Sequence, residues 1–212
     1  RLLILLLVMA IGLFLTKDAL AKWWIVSKFR EQGMDARIGQ LEIGFPLNST
    51  VSAYDVTIWN LPEYGGAPML KIDDLFIDCD FSELMNVRRK LKPHFRQVRI
   101  GITEFNLVET KGGERNLISL PDAVAKSSAQ HALGESPLYF TIDTLTFSWE
   151  RLKFTNLADA GKSRDVNINI DGYTVQDVEK LSDLRPLFDR IATKVTWKVL
   201  LNKLFGRLFA KP

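Results

Sequence analysis

The sequence predicts an α+β, mainly β protein: an N-terminal transmembrane helix, then an antiparallel β-sheet, then a C-terminal amphipathic helix. Three patterns predict it. After Arg1 the chain is apolar from Leu2 to Leu15 except for Gly12. Between residues 34 and 181 hydrophobicity recurs mainly at every second residue, and from residue 182 it recurs at helical spacing. The units are therefore 1–33, an anchor with its amphipathic extension; 34–181, a β-rich module; and 182–212, a basic amphipathic helix.

The apolar run falls short of the roughly 20 residues needed to cross a bilayer core. Thr16, Ala19, Leu20 and Ala21 extend it, and Trp23 and Trp24 follow where an interfacial aromatic pair belongs. Ala19-Leu20-Ala21 also fits a signal-peptide cleavage pattern, but Lys17 and Asp18 place charges where such a segment is usually neutral. A retained single-pass anchor is the expectation. A bare count of Lys17, Lys22, Lys28 and Arg30 would hold the following side in the cytoplasm, yet long domains translocate largely regardless of such charge. The main domain is accordingly expected on the exported side. Leu20, Trp23, Trp24, Ile25, Val26 and Phe29 carry the helix beyond the apolar run, and Gly33 supplies the residue type that ends helices.

A net charge of +3 with 47% hydrophobic and 25% charged residues describes a chain that folds around a core. Segments 38–45, 51–60, 70–81, 95–101, 102–110, 138–149, 152–156 and 166–175 read as strands, rich in β-branched and aromatic residues between turn formers. Their short connections predict antiparallel meanders. Leu138, Phe140 and Ile142, and again Val166, Ile168 and Ile170, alternate with polar residues, so one face is apolar and one is wet. Segments 82–92 and 116–127 are short helix candidates. The longer one, 182–209, sets Leu184, Leu187, Phe188, Ile191, Val195 and Val199 against Arg185, Arg190, Lys194 and Lys198. That pattern suits either a cap on the sheet or a helix lying on an anionic membrane or a partner.

Catalytic chemistry has little to stand on. His94 and His131 belong to no metal-spaced or triad-like set, and no phosphate-binding loop or dinucleotide fingerprint appears. The lone Cys79 excludes an intramolecular disulfide and reads as a small buried hydrophobe. Asp73, Asp74, Asp78 and Asp80 read as a solvated strand face rather than a cation site. Arg88, Arg89 and Lys90, with Lys92, Arg96 and Arg99, form the densest basic cluster. Nucleic acid would want a larger charge excess and stacking aromatics, so lipid headgroups are the better partner, the plain alternative being a solubilising loop with no partner.

The order of parts resembles the opening of AsmA-like proteins of the bacterial envelope. Residues 34–81 are similar to that family's first module, and Asn60-Leu61-Pro62-Glu63-Tyr64-Gly65 looks like its Asn-Pro-x-Gly-aromatic turn, with Leu61 inserted and the aromatic before the glycine. Gly112-Gly113-Glu114-Arg115-Asn116-Leu117 looks like its Asp-Gly-x-x-Asn turn, with Gly112 in place of Asp. The resemblance covers roughly residues 1–120 and implies a short, single-module relative of bridge-like lipid-transfer proteins, its antiparallel β-sheet curved into a groove, anchored in the inner membrane with a periplasmic domain and no cofactor. Its expected ligand is membrane lipid. The expected groove lining is Leu138, Phe140, Ile142, Val166, Ile168 and Ile170, and the expected membrane-interface residues are Trp23, Trp24, Arg88, Arg89 and Lys90. Neighbouring strands lie about 4.8 Å apart, so a sheet of this size is too narrow to bridge two membranes. The alternative expectation is a non-catalytic accessory subunit of an integral membrane complex, docking through its two terminal helices.

Overall fold

A computed structural model describes residues 2–44, 49–79, 92–116 and 137–194, the first of these stretches without side chains up to residue 15. Helix α1 (Leu2–Glu31) runs unbroken for 30 residues, about 45 Å at the α-helical rise. Gly33, at φ 76, ends it. Its N–H donates to the Arg30 carbonyl at 2.9 Å, and the Met34 N–H donates to Phe29 at 3.0 Å, which satisfies two carbonyls of the last turn. The expected bilayer span falls on the apolar run whose side chains lie outside the described residues. Among the described residues no helix is long and apolar enough to cross a membrane.

Seven strands follow: β1 (Ala36–Arg37), β2 (Gln40–Ile43), β3 (Thr50–Trp59), β4 (Pro68–Cys79), β5 (His94–Glu109), β6 (Pro137–Asn156) and β7 (Arg164–Lys180). They form one open sheet in the order β1-β3-β4-β5-β6-β7, with β2 also on β3. The domain is mainly β, as expected, but the purely antiparallel arrangement is corrected. β5 and β6 pair in parallel from His94↔Thr141 to Glu109↔Asn156. A parallel neighbour requires a crossover of a dozen or more residues, and the stretch between Glu109 and Pro137 provides one. Two pairs of expected strands are also single strands. Segments 95–101 and 102–110 join through Gly101 as β5, and 138–149 and 152–156 join through Glu150 and Arg151 as β6.

A crease crosses the sheet at Gly101. Asp73 is an extra residue between the pairs Ile72↔Ile102 and Asp74↔Gly101, and its carboxylate lies where a side chain at Gly101 would have to go. In the same row Asp55 of β3 has φ 53 and Gly172 of β7 has φ 55, and the β6 register shifts between Phe147 and Trp149. The row continues through Gly101↔Ser148. Bulges bend strands and increase twist, and their alignment puts the bend at one height in every long strand. On β7 it also lengthens the apolar spacing from two to three, Ile170 being followed by Tyr173, and Asp177 at φ 53 does the same between Val175 and Val178.

Both helices pack on the same face. Ala21, Ile25 and Val26 of α1 cover Ile38, Leu41 and Ala53. After a 3-10 turn (Leu181–Leu184), helix α2 (Arg185–Lys194) lays Leu187 and Ile191 over Val98, Ile142, Leu145, Val175 and Val178. The expected helix 182–209 is thus seen in its first part; residues 195–212 lie outside the described residues, as do the helix candidates 82–92 and most of 116–127.

The opposite face is a lattice of charge. Arg96 donates to Asp78 at 2.6 Å, Arg99 pairs with Asp74, and the buried Glu104 lies 2.9 Å from Lys153 and 3.5 Å from Lys71. Burial by itself pushes the Glu104 carboxyl up, but the hydrogen bond and charge of Lys153, then Lys71, outweigh it and hold the group below the ordinary carboxylate value of 4.5. A carboxyl with a depressed folded-state pKa stabilises fully above the unfolded value and ceases to do so as pH falls through the folded one. Thermal unfolding followed downward from neutral pH is therefore expected to show a loss of stability below 4.5 that is smaller in Glu104→Gln. An identical acid profile for the two proteins would contradict this role.

Candidate functional site

The two helices leave a strip of the apolar face between them. Val56 belongs to the group under α1 and Trp149 to the group beside α2. Register links them in one row, Val56↔Ile72, Ile72↔Ile102 and Ile102↔Trp149. Ile72 and Ile102, with Leu70 and Ile77 along β4, belong to neither packed group and are only half-buried. They floor an apolar trough on β4 and β5 between the strands covered by α1 and those covered by α2, interrupted where Leu75 of the first group pairs with Ile100 of the second.

The trough has a definite polarity. Lys17 donates to the Ile43 carbonyl, Asp18 accepts from the Ile43 N–H at 3.0 Å, and Lys22 donates to Gly39 at 2.9 Å. Helix α1 therefore runs antiparallel to β2, and the end of the sheet beside Lys17 is also where β4 ends, where β5 and β6 begin, and where β7 meets α2. This is the near end. The expected interface residues Arg88, Arg89 and Lys90 lie outside the described residues, in the connection that leaves and re-enters the sheet here. His94, also at this end, has Nδ1 3.0 Å from Thr141 Oγ1 and Nε2 3.3 Å from Asp143.

The far end is closed by amide side chains, and here the two turns noted in the sequence meet. The Val108 N–H donates to Asn116 Oδ1 at 3.0 Å; Asn116 Nδ2 then donates to Asn60 Oδ1 at 2.7 Å and to the Asn106 carbonyl at 2.8 Å. Thr155 donates to Asn106 at 2.9 Å, and Asn156 donates to Glu109, which also holds Arg115 at 2.7 Å. Asn60, Asn106, Asn116 and Asn156 are all buried. With these bonds made, the amide orientations follow from one another, and Asn60 Nδ2 is left without a partner. Buried polar groups stabilise when satisfied, so the network fixes the β3–β4 turn to the end of β5.

The residues expected to line a groove are mostly core. Ile168, Ile170 and Ile142 are buried, at 0%, 2% and 8% exposure, with the half-buried Val166 and Leu138 packed against their groups. Phe140 differs. It is 36% exposed at the near end, edge-on to Phe95 with 6.0 Å between ring centroids. Leu70, Ile72, Ile77 and Ile102 are half-buried like Val166 and Leu138, but unlike them belong to no packed group. Alternation along one strand finds apolar residues but cannot say which of them a helix covers. Trp23 and Trp24 are 68% and 58% exposed and, with Leu20, lie on the side of α1 away from the sheet. Cys79 is buried, as expected.

The charged face carries a cavity of about 420 Å³ along the crease, lined by Asp73, Asp74, Arg99, Gly101, Ser148, Glu150, Asn169, Ile170 and Asp171. Its cation is engaged: Asp74 hydrogen-bonds Arg99 and raises its pKa, and the guanidinium also lies 5.2 Å from the centre of the Phe76 ring. What remains is carboxylate-rich and repels anions, and among the described residues no group of His, Cys, Asp or Glu has the arrangement of a metal site. No family model, curated protein or solved structure matches the chain.

Proposed function

We propose that this chain is a non-catalytic, lipid-binding protein held in the bacterial inner membrane by α1, with its β domain on the periplasmic side, and that acyl chains lie along the trough floored by Ile72 and Ile102. The observation that carries this reading is a set of half-buried apolar residues, Leu70, Ile72, Ile102 and Ile77, that lies outside the packed groups on the face both helices cover and leads toward the end from which the apolar half of α1 departs. The resemblance to AsmA-like proteins supports the same ligand class and a role in lipid movement or envelope homeostasis. Nucleic acid is a poor fit, because Arg96 and Arg99 are bound by Asp78 and Asp74.

The test is native mass spectrometry of the full chain, solubilised from its own membranes in mild detergent. Changing Ile72 and Ile102 together to Asn is expected to reduce retained lipid by about tenfold, the factor carried by 1.4 kcal/mol of lost contact, with the circular dichroism of the wild type. Undiminished lipid in a folded variant would remove the trough from the function. The exposed stripe of Leu20, Trp23 and Trp24 favours a second reading, an accessory subunit whose α1 docks on an integral membrane partner. A fixed stoichiometric polypeptide in the same spectra, lost on changing both tryptophans to Ala, would favour it.

A further inference from the structure

The large apolar side chains that face solvent are not scattered. Among the described residues they are Leu20, Trp23 and Trp24 on α1, with Phe140 and Phe188. Phe140 belongs to the first residues of β6 and Phe188 to the first turn of α2, both at the near end. The far end shows none among the described residues and is instead capped by the asparagine network. Two contacts, both to Ile43, tie the near end to α1 at residues 17 and 18, where the apolar run gives way to charge, and Lys22 holds the helix further along at Gly39.

From this distribution we propose that the near end of the sheet is a second membrane-contact surface, in which Phe140 and Phe188 sit in the interfacial layer of the bilayer that anchors α1. The inference rests on reading α1 as a membrane anchor. Isolated exposed apolar residues are ordinary on a protein surface; the position of Phe140 and Phe188 at the end where the apolar run of α1 leaves the domain is what identifies the partner. Phe, like Trp and Leu, is a side chain that interfacial surfaces bury at the headgroup boundary. Lys92 and the 75%-exposed Arg185 lie at the same end, which suits anionic headgroups. With both points seated, the trough opens against the lipid rather than into water. A chain entering along Ile77 would then pass from bilayer to protein without crossing the aqueous phase.

The experiment uses the full chain with Cys79→Ser and one new cysteine, Phe140→Cys, Phe188→Cys or, at the far end, Lys111→Cys, each carrying an environment-sensitive fluorophore. The proteins are reconstituted into phosphatidylcholine and phosphatidylglycerol vesicles containing spin-labelled lipid. Labels at 140 and 188 are expected to be blue-shifted and quenched several-fold more than the label at 111. Equal quenching at all three positions would overturn the proposal. So would strong quenching at 111 alone. The proposed function fails separately, through undiminished lipid in the Ile72 and Ile102 variant, and that variant leaves the labelled positions untouched. A Phe140→Asp, Phe188→Asp double variant gives an independent reading: depth of the near end lost, native circular dichroism kept.

Discussion

Replacing Asn116 by Ala is expected to lower stability by about 3 kcal/mol, since a net hydrogen bond contributes about 1 kcal/mol and a buried partner left unpaired costs more. The side chain makes three such bonds, to the Val108 N–H, to Asn60 Oδ1 and to the Asn106 carbonyl, at 3.0, 2.7 and 2.8 Å. All three partners lie in the closed far end and have no route to water without opening it. Asn60→Ala is the control. It removes a single accepted bond and an amide nitrogen that has no partner, so its cost is expected to be a fraction of that of Asn116→Ala. Urea unfolding of both variants in the same detergent measures the ratio. Equal costs would mean that the network does not centre on Asn116.

The second large effect falls on Ile168. Its side chain is fully buried, packed with Leu107, Leu152 and Ile170 beneath the reach of Ile191. Asp there strands a charge among apolar groups, and a loss of about 4 kcal/mol or more is expected. The half-buried Ile102 can turn a polar replacement toward solvent and is expected to cost far less. Thermal unfolding of Ile168→Asp beside Ile102→Asn therefore separates core from surface. If both melt alike, the strip between the helices is as closed as the core, and lipid has no place there.

The contrast between these two isoleucines shows how far the sequence carries. Both sit in strands that alternate correctly, and the strand positions were readable for that reason. The two Asn-containing turns were readable as well, because turn chemistry is local; that Asn60 and Asn116 would hydrogen-bond to one another was not, since the bond spans 56 residues. Gly101 looked like a strand boundary because glycine usually is one, and the side chain that makes it necessary, Asp73, is on the neighbouring strand. Which apolar residues α2 covers depends on the phase shifts at Gly172 and Asp177, and positive φ at an aspartate leaves no mark in hydrophobic periodicity. The direction of β6 was equally hidden. A long connection permits a parallel or an antiparallel return, and only the register chooses.

That direction bears on how the molecule assembles and how it comes apart. On either side of the β5–β6 seam each strand is antiparallel to its neighbours, so each half is built from hairpin-like pairs that can zip from their own turns. The seam joins residues as distant as His94 and Thr141, 47 apart, and loop closure must precede any reward from such contacts. Two half-sheets would form first and dock last. The trough has its floor on one half and α2 on the other, so its second wall arrives only with that final step. Until then the apolar strip is exposed to whatever is nearest, and under the proposed anchoring by α1 the nearest apolar phase is the bilayer itself.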